Sequence, residues 1–136
     1  MTDTLKLEII TPEGAAFSDQ VNMVTLPAIE GQMGILPHHV CLMTEIVPGE
    51  IIVRAAKSDR FFAVGAGLVD IASDRVTILT DMAVDADKID EAKVEEARER
   101  AARRLREKIS DEEVASVNAS LVRSLAQLRV KRRHRG

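Results

Sequence analysis

Residues 61–79 have the sequence FFAVGAGLVDIASDRVTIL, and this stretch decides the fold. Its three short apolar runs lie at residues 61–64, 68–71 and 76–79. Gly65-Ala-Gly67 separates the first two runs, and Ser73-Asp74 separates the last two. Short apolar runs bounded by Gly, Ser and Asp are typical of β-strands joined by tight turns. The stretch therefore predicts neighbouring antiparallel strands, and not a βαβ fold with helical crossovers.

The same pattern continues towards the N-terminus. Leu5-Lys-Leu7-Glu-Ile9 alternates apolar and polar residues, as a half-buried strand does. Further strands are predicted at residues 21–26 and 51–55, the second after the turn Pro48-Gly49. Because turn residues recur about every ten residues, as in all-β domains, the sequence predicts an N-terminal antiparallel β-sandwich or barrel over residues 1–86.

Residues 87–136 have helical patterning and contain no Pro and no Gly before the terminal residue. We predict a helix capped by Asp87, with a narrow apolar stripe formed by Ile89, Ala92, Ala97, Ala101, Leu105 and Ile109. Ser110-Asp-Glu-Glu113 is a capping box that starts a second helix. That helix carries a wider stripe formed by Val114, Val117, Leu121, Val122, Leu125 and Leu128. Two helices of roughly 20 residues with a short join predict an antiparallel hairpin, which packs either on the sandwich or on a partner. The expected fold class is therefore α+β.

The composition is that of an ordinary soluble protein, with 46% apolar and 30% charged residues in 136. The charge is divided unevenly, since residues 1–88 carry a net −7 and residues 89–136 a net +4. No apolar run approaches the roughly 18 residues of a membrane span, and the first residues do not form a signal peptide. We therefore expect no direct membrane insertion. The single cysteine, Cys41, is consistent with a reducing compartment.

Residues with catalytic or metal-binding chemistry are few. His38-His39-Val-Cys41 could suggest a metal, but zinc needs three or four ligands and the only other histidine is His134. Gly31-Gln-Met-Gly34 lacks the Gly-Lys-Ser/Thr of a phosphate loop, so a tight turn at a sheet edge is the better interpretation. No nucleophile–base arrangement is present in the sequence. We expect no catalytic residue, no metal and no required cofactor.

The positive charge of the second half has two interpretations. Six arginines and lysines between residues 98 and 108 alternate with glutamates, which fits either a solvated helix face or a face that docks an acidic partner. From Val114 to Gly136 there are six cations and no anions. That tail could bind something negative, and a small nucleic-acid-binding module is one alternative function. The absence of Trp and Tyr argues against nucleic acid.

Residues 26–49, LPAIEGQMGILPHHVCLMTEIVPG, resemble a known family. The spacing of Glu-Gly-x-x-Gly-Ile-x-Pro-x-His, then Leu-x-Thr, then Pro-Gly is similar to that in the epsilon subunit of F-type ATP synthase, the counterpart of the mitochondrial delta subunit. Residues 62–71 and 76–81 resemble the two strands that follow in that family. The resemblance extends over about residues 4–130 and implies a sandwich of about ten strands followed by two helices.

The resemblance implies a non-catalytic rotor subunit in the central stalk of a proton-translocating ATP synthase. In that family the sandwich binds the gamma subunit and sits on the ring of membrane c subunits, which couples ring rotation to the alpha/beta catalytic head. By motif position, Glu30, Gly31, Gln32 and His39 would contact the c ring. The implied location is peripheral, on the cytoplasmic face of the bacterial inner membrane.

The resemblance also implies a regulatory role for the helices. In many bacterial relatives they fold against the sandwich or extend along gamma, and the extended form inhibits ATP hydrolysis. Inhibitory contacts to acidic segments of the catalytic subunits would come from Arg98, Arg103, Arg104, Arg123 and Arg129. Some relatives bind ATP on the folded hairpin, and the matching positions are Ile89, Asp90, Lys93 and Arg100. Lys93 replaces the arginine of that motif, and lysine lacks the planar fork of a guanidinium.

Overall fold

The structure is a computed structural model that describes residues 3–134, and within that range it contains ten strands and two α-helices. In chain order the strands are β1 Leu5–Thr11, β2 Gly14–Val21, β3 Met23–Ala28, β4 Gly31–Ile35, β5 Leu42–Ile46, β6 Gly49–Arg54, β7 Asp59–Val64, β8 Gly67–Ile71, β9 Arg75–Thr80 and β10 Ala83–Asp85. A 3₁₀ turn at Ala86–Lys88 leads to the helices α1, Glu91–Arg104, and α2, Asp111–Arg133. The predicted α+β class is confirmed.

The strands form a sheet that folds over into a sandwich. Their spatial order is β10-β7-β6-β3-β5-β8-β9-β1-β2, and β4 pairs with β3. The two halves of this order meet at a single pairing between β3 and β5, Ala28 with Ile46. Phe17 on β2 and Phe62 on β7 lie near opposite ends of the order, yet their ring centroids are 5.5 Å apart. The sheet therefore closes over one core.

Alternation along the strands fills that core. On β1, Leu5, Leu7 and Ile9 are buried, while Lys6 and Glu8 between them are only partly buried. The core continues with side chains from both halves of the sheet, including Val24, Ile51, Phe62, Val69 and Ile78. Each fully buried Leu or Ile contributes about 1.5–3 kcal/mol relative to its exposed state. The period-two prediction for β1 is confirmed.

One strand pair departs from the antiparallel expectation. β1 and β9 are parallel neighbours, with Lys6 opposite Arg75 and Ile10 opposite Leu79. β2 already pairs with the other side of β1 through a hairpin. The free side of β1 is therefore taken by a strand that arrives from the far end of the domain.

The prediction of a tight turn at Gly31–Gly34 is wrong. These residues belong to β4, which pairs with β3 so that Gln32 lies opposite Pro27. The turn is one step earlier, at Ile29 and Glu30, between the end of β3 and the start of β4. Gly31 follows it with φ +130°, a conformation that side chains strongly disfavour. The pair of residues in the hairpin loop fixes the register of this edge strand.

The first helix begins later than predicted and is shorter. Asp90, not Asp87, is the N-cap of α1, and its carboxylate accepts a hydrogen bond from the backbone N–H of Lys93 at 3.2 Å. α1 has 14 residues. The predicted start of α2 is confirmed, since the Ser110 hydroxyl accepts from the N–H of Glu113 at 3.2 Å. Ala92, which the sequence placed on the buried stripe of α1, is exposed.

The hairpin packs on the sandwich, which answers the question left open by the sequence. α2 contacts α1 on one side and the strands β6 and β7 on another. Because α1 and the sandwich cover α2 from different sides, its buried residues do not form a single stripe. They are Ser124, Ala126, Leu128 and Val130. Leu125, predicted to be buried, is 40% exposed. Val130 packs against Ala63, Ala86 and Ile89 in a small cluster between helix and sandwich.

Candidate interaction surfaces

The β3–β4 turn is an exposed corner of the sandwich. Glu30, Gly31 and Gln32 are all exposed, and neighbouring Ile29 is 57% exposed. The corner is held to the adjacent strand ends, because the N–H of Ile29 donates to the carbonyl of Glu45 at 3.0 Å. The corner thereby presents the apolar Ile29 and the carboxylate of Glu30 on its two-residue loop, beside the amide of Gln32 on β4.

His39, predicted to act with that corner, lies at the other end of the sandwich. Its neighbour His38 donates its N–H to the carbonyl of Ser73, between β8 and β9. β5 starts three residues later and reaches the β3–β4 corner only at its far end, where Ile46 pairs with Ala28. The structure therefore brings Glu30, Gly31 and Gln32 together and separates His39 from them by the length of a strand.

An apolar surface covers the outer side of β1, β5, β8 and β9. We call Ile10, Met43, Leu68 and Leu79 the outer apolar patch. Leu68 lies opposite Leu79 across the β8–β9 pair, and Ile10 lies opposite Leu79 across the β1–β9 pair. Met43, Leu68 and Leu79 are 66%, 47% and 49% exposed. Beside them, Pro12 and Gly67 help to line a shallow depression of about 420 Å³.

The sequence contains a signal for this patch that the strand assignments did not use. Adjacent apolar residues, Ile9-Ile10, Leu68-Val69 and Ile78-Leu79, interrupt the alternation within three strands. One residue of each pair is buried in the core, and the other points to the opposite face of the sheet. Apolar residues on both faces of these strands predict that the outer face of the sheet is also covered, by something beyond the sandwich core.

The four residues proposed for nucleotide binding have defined places at the start of the hairpin. Ile89 is buried beneath α2, and Asp90 caps α1. Lys93 and Arg100 are exposed on α1, seven residues apart and hence on the same helix face, and neither has an ion-pair partner within residues 3–134. The roles of Ile89 and Asp90 are explained by packing and capping. Nucleotide binding by this set stays a prediction, which titrating the full chain with ATP tests.

The five arginines proposed as inhibitory contacts divide into two groups. Arg98 pairs with Glu95, Arg104 pairs with Glu107 and Glu113, and Arg123 lies 3.5 Å from Asp81 of the sandwich. Arg103 and Arg129 are exposed and have no ion-pair partner in the described part of the chain. In this docked arrangement, three of the five cations are therefore engaged within the molecule.

Most described cations of the basic tail, apart from Arg129, are also engaged within the molecule. Lys131 Nζ donates to the carbonyl of Ala86 at 3.2 Å. Arg132 reaches across to α1, with Nε 2.8 Å from Glu91 and Nη2 2.9 Å from Glu95. Arg135, the last cation of the tail, lies outside the described residues. The alternative that this tail serves a nucleic-acid-binding module is not supported, because its described cations mostly face carboxylates and a carbonyl of the same chain.

The electrostatics of the hairpin follow from these pairs. Hydrogen bonds from Arg98, and then from Arg132, hold the pKa of Glu95 below its usual range despite some desolvation. The pKa of Arg132 is raised, chiefly by its hydrogen bond to Glu91. Both shifts favour the charged forms, so α1 and α2 are joined by fully ionised groups at neutral pH.

The remaining sequence motifs lie on the surface. His38 Nε2 is 3.4 Å from Asp3, His39 Nδ1 is 2.7 Å from its neighbouring carbonyl, and Cys41 is an exposed free thiol. Among residues 3–134, no three His, Cys, Asp or Glu side chains are grouped as metal ligands. Within the same range, neither helix is long and apolar enough to cross a membrane.

A rigid sandwich with an exposed corner, an outer apolar patch and a docked basic hairpin defines a protein that works by contacting other chains. The family comparison agrees with this class. The family described as the beta-sandwich domain of the ATP synthase delta/epsilon chain matches residues 4–86, and its long alpha-helix domain matches residues 87–132. This chain belongs to the ATP synthase delta/epsilon family, and it is a structural subunit and not a catalytic one.

Curated relatives match along nearly the whole chain. The ATP synthase epsilon chain of Halorhodospira halophila is 39% identical over 128 residues, which cover 93% of this chain and 91% of the relative. The ATP synthase epsilon chain of Syntrophobacter fumaroxidans is 38% identical over 130 residues, covering 96% and 97%. The two family domains meet between residues 86 and 87. That residues 1–86 and 87–136 act as two separate domains stays a prediction.

The fold also occurs in solved assemblies. A chain in the cryo-EM structure of the Euglena gracilis mitochondrial ATP synthase, OSCP/F1/c-ring in rotational state 1, matches with TM-score 0.66 and 20% identity, covering 95% of this chain and 78% of that one. A chain in the central stalk/c-ring structure of the Tetrahymena thermophila mitochondrial ATP synthase matches with TM-score 0.57 and 13% identity, covering 93% and 96%. At these identities the likeness establishes a shared fold.

Proposed function

We propose that this chain is a rotor subunit of the central stalk, which couples rotation of a c ring to the alpha/beta catalytic head through gamma. The observation that carries this proposal is the outer apolar patch on a sandwich whose core is otherwise complete. Exposed contiguous apolar surface on a soluble protein marks an interaction site. The proposed location is peripheral, on the cytoplasmic face of the bacterial inner membrane, where such a rotor meets its ring.

The outer apolar patch is the proposed gamma-binding surface. Leu68 and Leu79 are neighbours on paired strands, so a partner that covers one of them covers the other. Burying exposed leucines contributes roughly 25 cal/mol per Å² of apolar area. A patch on sheet strands is also rigid, so little conformational entropy is lost on docking. These properties suit a contact that must transmit torque without slipping.

The β3–β4 corner is the proposed c-ring contact. Its exposed Glu30 and Gln32 offer one charge and one amide to polar loops, while Ile29 offers apolar contact. The corner and the outer apolar patch occupy different parts of the same rigid sandwich, so both partners can be bound together. Because His39 lies at the opposite end of β5, the proposal assigns the ring contact to residues 29–32 and gives His39 no direct part in it.

Co-purification with gamma tests the coupling role. Leu79→Glu should remove the chain from a gamma complex, because a carboxylate would be desolvated at the centre of the contact. Leu125→Glu is the matched control, since Leu125 is 40% exposed but lies on α2, away from the patch. Equal retention of both variants on gamma would overturn the patch assignment, and a wild-type chain that does not bind gamma would overturn the coupling role.

We also propose that the helices inhibit ATP hydrolysis when they leave the sandwich. Surface ion pairs such as Arg123–Asp81 exchange readily for other acidic partners. The seam beneath α2 buries only two large apolar side chains of that helix, Leu128 and Val130, beside the small Ser124 and Ala126. Removal of residues 89–136 from the assembled complex should raise its rate of ATP hydrolysis. An unchanged rate would remove the inhibitory role and leave the coupling role intact.

A further inference from the structure

Glu50, at the start of β6, is contacted by two side chains from the end of α2, the guanidinium of Arg133 and the imidazole of His134. Arg133 Nη1 lies 2.9 Å from Glu50 Oε1, and His134 Nε2 lies 2.5 Å from Oε2. The Glu50 side chain is only 9% exposed, so the carboxylate has lost most of its water. Each of its oxygens is satisfied by a different residue of the helix end.

The neighbouring strand provides a second contact to the same helix end. The ring of His134 stacks on Phe61 of β7, with centroids 3.7 Å apart and planes at 19°. β6 and β7 pair side by side, with Glu50 opposite Ala63 and Ile52 opposite Phe61. His134 is therefore held by a carboxylate from one strand and an aromatic face from the next.

The helix end adds charged and aromatic contacts to the apolar seam between α2 and the sandwich. Further along the seam, α2 buries Leu128 and Val130 beside the small side chains of Ser124 and Ala126. While α2 covers Glu50, a carboxylate that lost its partners would remain desolvated without a counter-charge, which is strongly disfavoured. Breaking one contact while α2 stays docked leaves one oxygen of this carboxylate unsatisfied, so the two contacts should open together.

We propose that Glu50, Phe61, Arg133 and His134 form a latch that holds the hairpin closed on the sandwich. The latch joins two segments 83 and 84 residues apart in the chain. While it is closed, Arg123 and Lys131 stay against the sandwich. When it opens, the whole of α2 is freed. This device regulates the hairpin from its last turn, and it is independent of which partner the freed helix then contacts.

Hydrogen exchange of the full, isolated chain tests the latch, because it detects rare openings. Glu50→Gln keeps the shape and removes the charge. Exchange of the α2 amides at residues 124–130 should accelerate by about ten- to a hundredfold, as expected for a lost charged hydrogen-bond pair. The matched control is Glu45→Gln, on exposed β5, which should leave these rates unchanged.

Removing the helix side of the latch gives an independent measurement. The double variant Arg133→Gln with His134→Asn should accelerate the same amides to a similar extent, and adding Glu50→Gln to it should add little, because one interaction has already been lost. The latch is overturned if the α2 amides exchange at the same rate in Glu50→Gln as in Glu45→Gln. It is also overturned if the acceleration caused by Glu50→Gln adds in full to that of the double variant. Equal acceleration of β1 and β9 amides would also overturn it, because Glu50 would then support the whole fold.

Discussion

Arg60 on β7 and Asp85, the last residue of β10, tie two neighbouring strands together, with Nη2 and Oδ2 2.5 Å apart. The same guanidinium carbon lies 5.1 Å from the centre of the Phe17 ring and 5.3 Å from that of Phe62. Asp85 also accepts from the N–H of Asp87 at 2.9 Å, which starts the 3₁₀ turn before the hairpin. One carboxylate therefore fixes the point where the sandwich ends and the helices begin.

This carboxylate makes stability depend on pH. Desolvation of Asp85 pushes its pKa upwards, but hydrogen bonds from Arg60 and from the Asp87 N–H, with the charges of Arg60 and Lys88, bring the pKa below its usual value. A depressed pKa stabilises the fold above the unfolded-state value of about 3.9, and that contribution is lost as pH falls further through the folded-state pKa. Asp85→Asn should therefore destabilise the protein at pH 7 and differ less from wild type near pH 3, measured by urea unfolding. A difference that is the same at both pH values would contradict this.

Leucines on opposite faces of the sheet should respond differently to truncation. Leu7 is fully buried, so Leu7→Ala should lower the free energy of unfolding by about 2–5 kcal/mol. Leu68 is 47% exposed, so Leu68→Ala should cost well under that in the free chain and instead weaken gamma binding. Urea unfolding and gamma co-purification of both variants separate the two roles. A large loss of stability in Leu68→Ala would contradict the assignment of its side chain to the outer surface.

Asp90 offers a test that separates capping from nucleotide binding. Asp90→Ala should destabilise α1 by about 1 kcal/mol, because the cap to the Lys93 N–H is lost. Asp90→Asn keeps an oxygen that accepts this hydrogen bond and should retain most of the stability. Circular dichroism during thermal unfolding measures both. If an ATP titration compacts the wild-type chain but not Asp90→Asn, the carboxylate has a nucleotide role beyond the cap.

Two glycines lack space for a side chain, and replacing each by alanine should lower the free energy of unfolding by different amounts. A Cβ on Gly67 would lie 1.9 Å from the Leu79 carbonyl oxygen, so the β8–β9 backbone must move. A Cβ on Gly34 would lie 2.8 Å from the terminal methyl of Met23, which is flexible. Gly67→Ala should therefore cost about 1–3 kcal/mol, and Gly34→Ala clearly less. Similar unfolding midpoints for the two variants would show that the β8–β9 backbone yields more easily than this packing suggests.

The local parts of the fold were predictable from sequence because their cause is local. Alternation around Leu7 and the capping box at Ser110 both depend on neighbours within four residues, and both are confirmed. The predicted start of α1 is wrong because Asp87 and Asp90 are equally suitable N-caps by sequence. Asp87 lies within the 3₁₀ turn that Asp85 caps, so Asp90 caps α1.

Features that depend on distant residues were not predictable from the pattern alone. Leu125 fits a helical stripe as well as Leu128 does, and only the sandwich beside α2 decides which of them is covered. Glu50 and His134 are 84 residues apart, and neither has a sequence context that identifies the other. The separation of His39 from Glu30 likewise follows from the path of β5 and not from their closeness in the chain.

The parallel pairing of β1 with β9 has a consequence for how the chain folds. Most strand pairs in the sandwich are hairpins or near neighbours, whereas β1 must wait for Arg75 and the residues that follow it. Closing about 70 residues of chain costs entropy before any contact repays it, and such non-local contacts slow folding. During synthesis the β1–β2 hairpin therefore emerges early with one edge unpaired. The second edge of β1 is paired only when β9 has left the ribosome, shortly before β10 and the helices that then close over the sandwich.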